Sequence, residues 1–213
     1  MHMNDPLDDI LTRDGNDYDV LTNAVNQIKH VQGMTCEIGV RRGGGSRLII
    51  DSLIANNDLW RHHIAVDPYG NIEYLDSETD GVPVVARYDY TNQMRNDCLN
   101  NLHYYTHSLA IHLHFMILED TEFFKRYHDG VPVYDTHKQI LDRYALVHLD
   151  GPHDSDSVIT EFLFFATRMD PGAAIVFDDI PYYPHDEKVE PIIFGAGFKL
   201  LEKKGRKASY IKI

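Results

Sequence analysis

The sequence predicts a doubly wound α/β domain, in which a mostly parallel sheet carries helices on both faces. Two observations support this. Short apolar runs of strand length alternate with longer stretches of helical period. The 213 residues, 43% of them hydrophobic, suffice for one domain with a sizeable core, and no internal repeat or low-complexity linker divides them.

Two helical segments, about 5–13 and 17–31, come first, so residues 1–33 form a helical cover ahead of a main domain over 34–213. MTCEIGV (34–40) is the first strand, and GGSRLIIDSLIANN (44–57) is the helix that follows it. HHIAVD (62–67) is the second strand and IHLHFMIL (111–118) the third, with TEFFKRY (121–127) helical after it. YALVHLD (144–150) is the fourth strand, and DSVITEFLFFATRM (156–169) is its helix. AAIVFDD (173–179) is the fifth strand, followed by a weak helix near 186–194. FKLLEK and ASYIKI flank a glycine and read as a C-terminal β-hairpin, which adds an antiparallel strand and brings the count to seven.

Residues 68–110 are less regular. Their second half, 91–106, has a helical pattern. Their first half is too long and turn-rich for a simple crossover, with room for a small hairpin at VPVV. Such loops are often functional, so the segment is a candidate substrate lid as well as a plain surface excursion.

Net charge is −13 with histidine neutral, which makes nucleic acid a poor partner. KKGRK (203–207) is a local exception and reads as a solvated hairpin tip. Two cysteines, Cys36 and Cys98, cannot build a disulfide framework, which suits a reduced, cytoplasmic setting. No apolar run approaches the ~20 residues of a membrane span. The acidic N-terminus lacks the apolar core of a secretory signal. Self-association is left open.

The first strand runs into EIGVRRGGGS and then a helix. Glycines at such a turn let a ligand approach the backbone, and the helix start offers free N–H groups. The spacing is neither G-x-G-x-x-G nor a P-loop. The second strand ends in Asp67, which is placed to accept from ribose hydroxyls or to cap a turn. The third strand ends in Glu119-Asp120-Thr121, where Asp120 can reach an adenine edge or cap the next helix. Taken in order, these features describe a nucleoside-like ligand lying across the strand ends.

With EIGVRRGGGS, IAVDPYG, LEDTEFF, YALVHLDGPHDSDSV and PGAAIVFDDI in place, the chain resembles the class I S-adenosylmethionine-dependent methyltransferases. It is most similar to the small-molecule O-methyltransferases of the macrocin and mycinamicin type. The resemblance covers residues 34–67 and 111–213 and implies a Rossmann-like sheet. It further implies that Glu37, Gly39, Gly43, Gly44 and Ser46 line the methionine end of the cofactor, with Asp150 beside them. Asp67 would hold the ribose, and Asp120 with Thr121 would flank the adenine.

The same resemblance implies a divalent cation, Mg²⁺ first, on Asp150, Asp178 and Asp179. These acids end two strands that the topology makes neighbours. Hard oxygen ligands suit such an ion. Adjacent side chains on a strand point to opposite faces, so Asp178 and Asp179 meet one ion only if the backbone turns at 179. His153 is the candidate general base, because a histidine titrates near ~6.5. The expected reaction is methyl transfer to a small molecule with vicinal oxygens, a sugar diol or a catechol, chelated by the ion. Tyr69, Tyr74, Tyr182 and Tyr183 are candidates for the pocket wall.

Two other readings compete. A nicotinamide-dependent oxidoreductase would use the same sheet and Asp67, with Tyr134 and Lys138 at Tyr-x-x-x-Lys spacing. A non-catalytic relative would keep the cofactor pocket and lack the chemistry.

Overall fold

The computed structural model describes residues 16–107, 109, 111–134 and 136–213. The helix expected at 5–13 lies outside the described residues. The second expected helix is α1 (Asp19–Gln27), which buries Val20, Leu21, Ala24 and Val25 as one apolar stripe.

The main sheet has seven strands. Strands β1 (Met34–Ile38) and β2 (His62–Val66) are joined by α2 (Gly44–Ala55). Next come an excursion of two strands, β3 (Glu73–Thr79) and β4 (Val82–Arg87), then α3 (Asn92–Thr106) and β5 (His112–Met116). Helix α4 (Asp120–Arg126) is followed by a second small hairpin, β6 (Val131–Tyr134) with β7 (Lys138–Leu141). The chain returns through β8 (Tyr144–Leu149), α5 (Ser155–Ala166) and β9 (Ala174–Phe177). A short 3₁₀ turn (Ile180–Tyr182) and a π-helical turn (His185–Val189) lead into α6 (Glu190–Gly195), and the chain ends in β10 (Phe198–Lys204) and β11 (Lys207–Lys212).

The sheet order is β10-β11-β9-β8-β1-β2-β5, and only β11 runs against the others. The order reverses at β1, whose neighbours are β2 and β8. Ligands bind at that reversal in open α/β sheets, outside the carboxyl ends of the strands. Strands β1, β8 and β9 are buried along their whole length because helices cover both faces, which explains their near-continuous apolar runs. One face packs Phe162 and Phe165 of α5 and Phe123 and Phe124 of α4 on the sheet. The other packs α1 and α2 through Leu21, Val25, Ile49 and Leu53.

The turn-rich segment is the β3–β4 hairpin, and helix α3 follows it as expected. The β6–β7 hairpin was not expected. It pairs Tyr134 directly with Lys138 across its tip, and Tyr134 is 75% exposed. The Tyr-x-x-x-Lys spacing is therefore a hairpin register on the surface rather than two residues on one helix turn, and neither residue reaches the main cleft. Asp135 between them lies outside the described residues.

Candidate active site

The β1/β8 reversal opens into a cleft of about 610 Å³, a size suited to a small-molecule ligand. Glu37, Gly39, Asp67, Asp120, Thr121, Asp150, His153, Asp178 and Asp179 all line it, so the ends of five strands, β1, β2, β5, β8 and β9, bring these predicted residues together. Gly43, Gly44 and Ser46 do not line it. They lie behind the cleft at the start of α2, where Gly43 adopts φ 84°.

Two glycines are there because of close approach. A side chain at Gly39 would collide with the Asp150 carbonyl, so β1 and β8 could not converge. One at Gly45 would strike the Glu37 carboxylate. That carboxylate is the centre of a buried polar chain. It accepts from Ser46 Oγ and pairs with His148 Nδ1 at 2.9 Å. Ser46 meets His63 Nε2 at 2.9 Å, and His63 Nδ1 meets Thr35 at 2.9 Å. Burial drives His63 down to about 3, so it is neutral in this chain. Ser46, expected at the cofactor, is fully buried and orients Glu37 instead. His148 had no sequence signal beyond its place two residues before Asp150.

Asp67 does more than was expected of it. Its Oδ2 accepts the N–H groups of Val40 (2.9 Å) and Arg41 (2.7 Å), and its Oδ1 accepts that of Tyr69 (2.8 Å). It thus shapes the turn after β1. A carboxylate has about four acceptor positions, so one is left for a ligand. Asp120 faces the fully buried Glu161 of α5. Burial, then the nearby Asp120, pushes the Glu161 carboxyl well above the ordinary range. A raised carboxyl favours the neutral form of Glu161.

The β3–β4 hairpin roofs the cleft. Leu75 accepts from the His153 amide at 2.8 Å. Tyr74 donates to the Gly151 carbonyl and lies 3.3 Å from His153 Nδ1. Glu78 accepts from the Ser155 amide at 2.8 Å and pairs with Lys188. His153 is 8% exposed, and its buried Nε2 has no hydrogen-bond partner among the described residues and faces Asp179 Oδ2 at 3.7 Å. Burial lowers His153 below its usual 6.5, with Asp179 pulling the other way. Of the four tyrosines, Tyr74 and Tyr182 line the cleft. Tyr69 and Tyr183 are core residues, 3% and 4% exposed.

The acid cluster differs from expectation. The backbone does turn at Asp179, with φ 50°. Yet Asp178 Oδ2 bonds the ammonium of Lys207, and its Oδ1 accepts the Asp179 amide at 2.7 Å. Asp179 Oδ1 pairs with Arg206 Nε at 2.7 Å. Burial alone would raise Asp178, but Lys207 outweighs it and holds the carboxyl low. Asp150 is raised well above the usual range by burial and by Asp178. The compact acid and imidazole group among the described residues is Glu37, His148 and Asp150, within 4.8 Å of one another; it leaves out Asp178 and Asp179. The predicted donor set, as arranged, does not fit a divalent ion, because its two outer carboxylates are already neutralised by two protein cations. KKGRK was expected to be a solvated tip; Lys207 in it is fully buried. It opens β11 beside β9, which brings its ammonium onto Asp178.

A cleft at the carboxyl edge, where the strand order reverses, is the plan of an S-adenosylmethionine-dependent methyltransferase. The chain belongs to the family described as Methyltransferase domain, whose model matches residues 36–180. The fold is shared with CalS11, a calicheamicin methyltransferase, at 13% identity and TM-score 0.57 over 91% of this chain and 78% of that one. It is shared with the O-methyltransferase NovP at 18% identity and TM-score 0.55, over 91% and 78%. A protein of Corynebacterium glutamicum matches at 11% identity and TM-score 0.59, over 93% and 82%. No curated protein sequence matches the chain. Among the described residues no helix is long and apolar enough to cross a membrane.

Proposed function

We propose that the enzyme moves the methyl group of S-adenosylmethionine to a hydroxyl oxygen of a small acceptor, with His153 as the base. The single observation behind this is the buried His153 Nε2 in the cleft lining, which has no hydrogen-bond partner among the described residues and lies beside Asp179. The cofactor would lie along Glu37, Gly39, Asp67, Asp120, Thr121 and Asp150. CalS11, a TDP-rhamnose 3'-O-methyltransferase, and NovP, an O-methyltransferase, support oxygen as the acceptor atom. The methyl leaves the sulfonium as the oxygen attacks in line, so alignment does much of the work. His153 takes the hydroxyl proton, and Asp179 faces the imidazolium that forms. A neutral imidazole is ready for this at pH 7 because burial disfavours its charged form. Vicinal oxygens were expected only for chelation by an ion. With Asp178 and Asp179 paired to Lys207 and Arg206, one acceptor hydroxyl suffices.

The test is S-adenosylhomocysteine release with a panel of phenols, catechols and sugars. Hydroxyl-dependent release that falls at least a hundredfold in His153→Ala is expected. Equal turnover in the variant would remove His153 from the chemistry, and release with amine or thiol acceptors alone would overturn the oxygen assignment.

A further inference from the structure

The KKGRK run is basic, yet its last two residues turn inward onto the acids at the end of β9. Lys207 is fully buried, with its ammonium on Asp178 and 4.4 Å from the centre of the Tyr18 ring on its other side. Its neighbour Ala208 is in register with Phe177, so the backbone of β11 is locked beside the strand that carries Asp178. Arg206 lies over Tyr182 at 4.7 Å while it pairs with Asp179. Neither cation is a loose surface side chain. Two negative charges from adjacent aspartates meet two positive charges supplied by adjacent residues of the same chain.

From this we infer that Lys207, supported by Arg206, is the resident counter-charge of the site, and that the enzyme neither needs nor holds a divalent cation there. The inference rests on this cleft being the methyl-transfer site. Mg²⁺ or Mn²⁺ binds through about six oxygens and carries two charges. On Asp178 it would stand against a fully buried ammonium, and one of the two Asp178 oxygens already serves the Asp179 amide. The lysine also does mechanical work an ion would otherwise do. It fixes Asp178, which holds the strained Asp179 turn, and Asp179 faces the base.

Manganese binding can be read with no acceptor present, so an unidentified substrate does not affect the outcome. The full-length chain is titrated with Mn²⁺ and the free-ion EPR signal followed, for wild type, K207M and K207M with Asp178→Asn. Cofactor binding is measured in parallel by calorimetry with S-adenosylhomocysteine. Expected are no bound Mn²⁺ at millimolar ion in wild type, about one per chain in K207M, and loss of that ion when Asp178 is also changed. Turnover of wild type in excess EDTA is expected to stay within twofold. Stoichiometric Mn²⁺ on wild type, displaced by Asp178→Asn, would overturn the inference. So would a K207M chain that melts like wild type and gains no ion, since the lysine would then guard nothing. If K207M does not fold, the wild-type titration decides alone. Failure to bind S-adenosylhomocysteine would instead refute the cofactor reading.

Discussion

At the residue scale the site depends on which buried groups carry charge. His153 sits below its usual 6.5 through burial, so the acid limb of kcat/KM is expected below pH 6.5. His153→Ala is expected to lower kcat by about 10²–10⁴-fold and to erase that limb. Glu161 gives the opposite sign. Its folded-state carboxyl is raised above 4.5, so wild-type stability from this group is complete below pH 4.5 and is lost as pH rises through the raised value. Glu161→Gln is therefore expected to melt higher than wild type at pH 8, with the gain vanishing near pH 4; urea unfolding at both values checks it. Asp67→Ala removes the acceptor for three backbone N–H groups. A loss of about 3 kcal/mol is expected, or roughly 10 °C in melting temperature.

At the scale of elements, the β3–β4 hairpin is a roof attached at a few points. It meets the body through Tyr74, Leu75 and Glu78, while Val82 and Val85 on its outer strand are exposed. Glu78→Ala breaks both the Lys188 pair and the Ser155 amide bond. The expected result is a rise of about tenfold in acceptor KM, the equivalent of roughly 1.4 kcal/mol, with cofactor affinity within twofold. Faster hydrogen exchange confined to residues 73–87 would accompany it. Unchanged KM would separate the hairpin from acceptor binding. The β6–β7 hairpin shows why local pattern misleads: VPVY and KQIL are too short to declare themselves, and Tyr134 faces solvent in their register.

For the whole molecule, the reversal of strand order at β1 collects five strand ends into one cleft, and a ligand there stabilises the fold it binds. S-adenosylhomocysteine at a hundred times its Kd is expected to add about 2.7 kcal/mol, a melting shift of roughly 5–10 °C. NADH is expected to give none, and an equal shift with NADH would favour a nicotinamide enzyme instead.

Alternating strand and helix patterns by themselves determined the doubly wound sheet, its carboxyl-edge acids and the glycine turn. Those signals are local: an apolar run, a turn residue, an acid at a strand end. His153 was legible for the same reason, standing three residues after Asp150. The partners of those groups were not legible. Ser46 to Glu37, His148 to Glu37, Glu161 to Asp120 and Lys207 to Asp178 join residues between 9 and 111 positions apart, and no local pattern encodes such pairs. Tertiary structure alone decided that KKGRK sends a lysine inward, because only the pairing of β11 with β9 brings that ammonium onto the acids. The acids were written in the chain; which cation they hold was settled by packing.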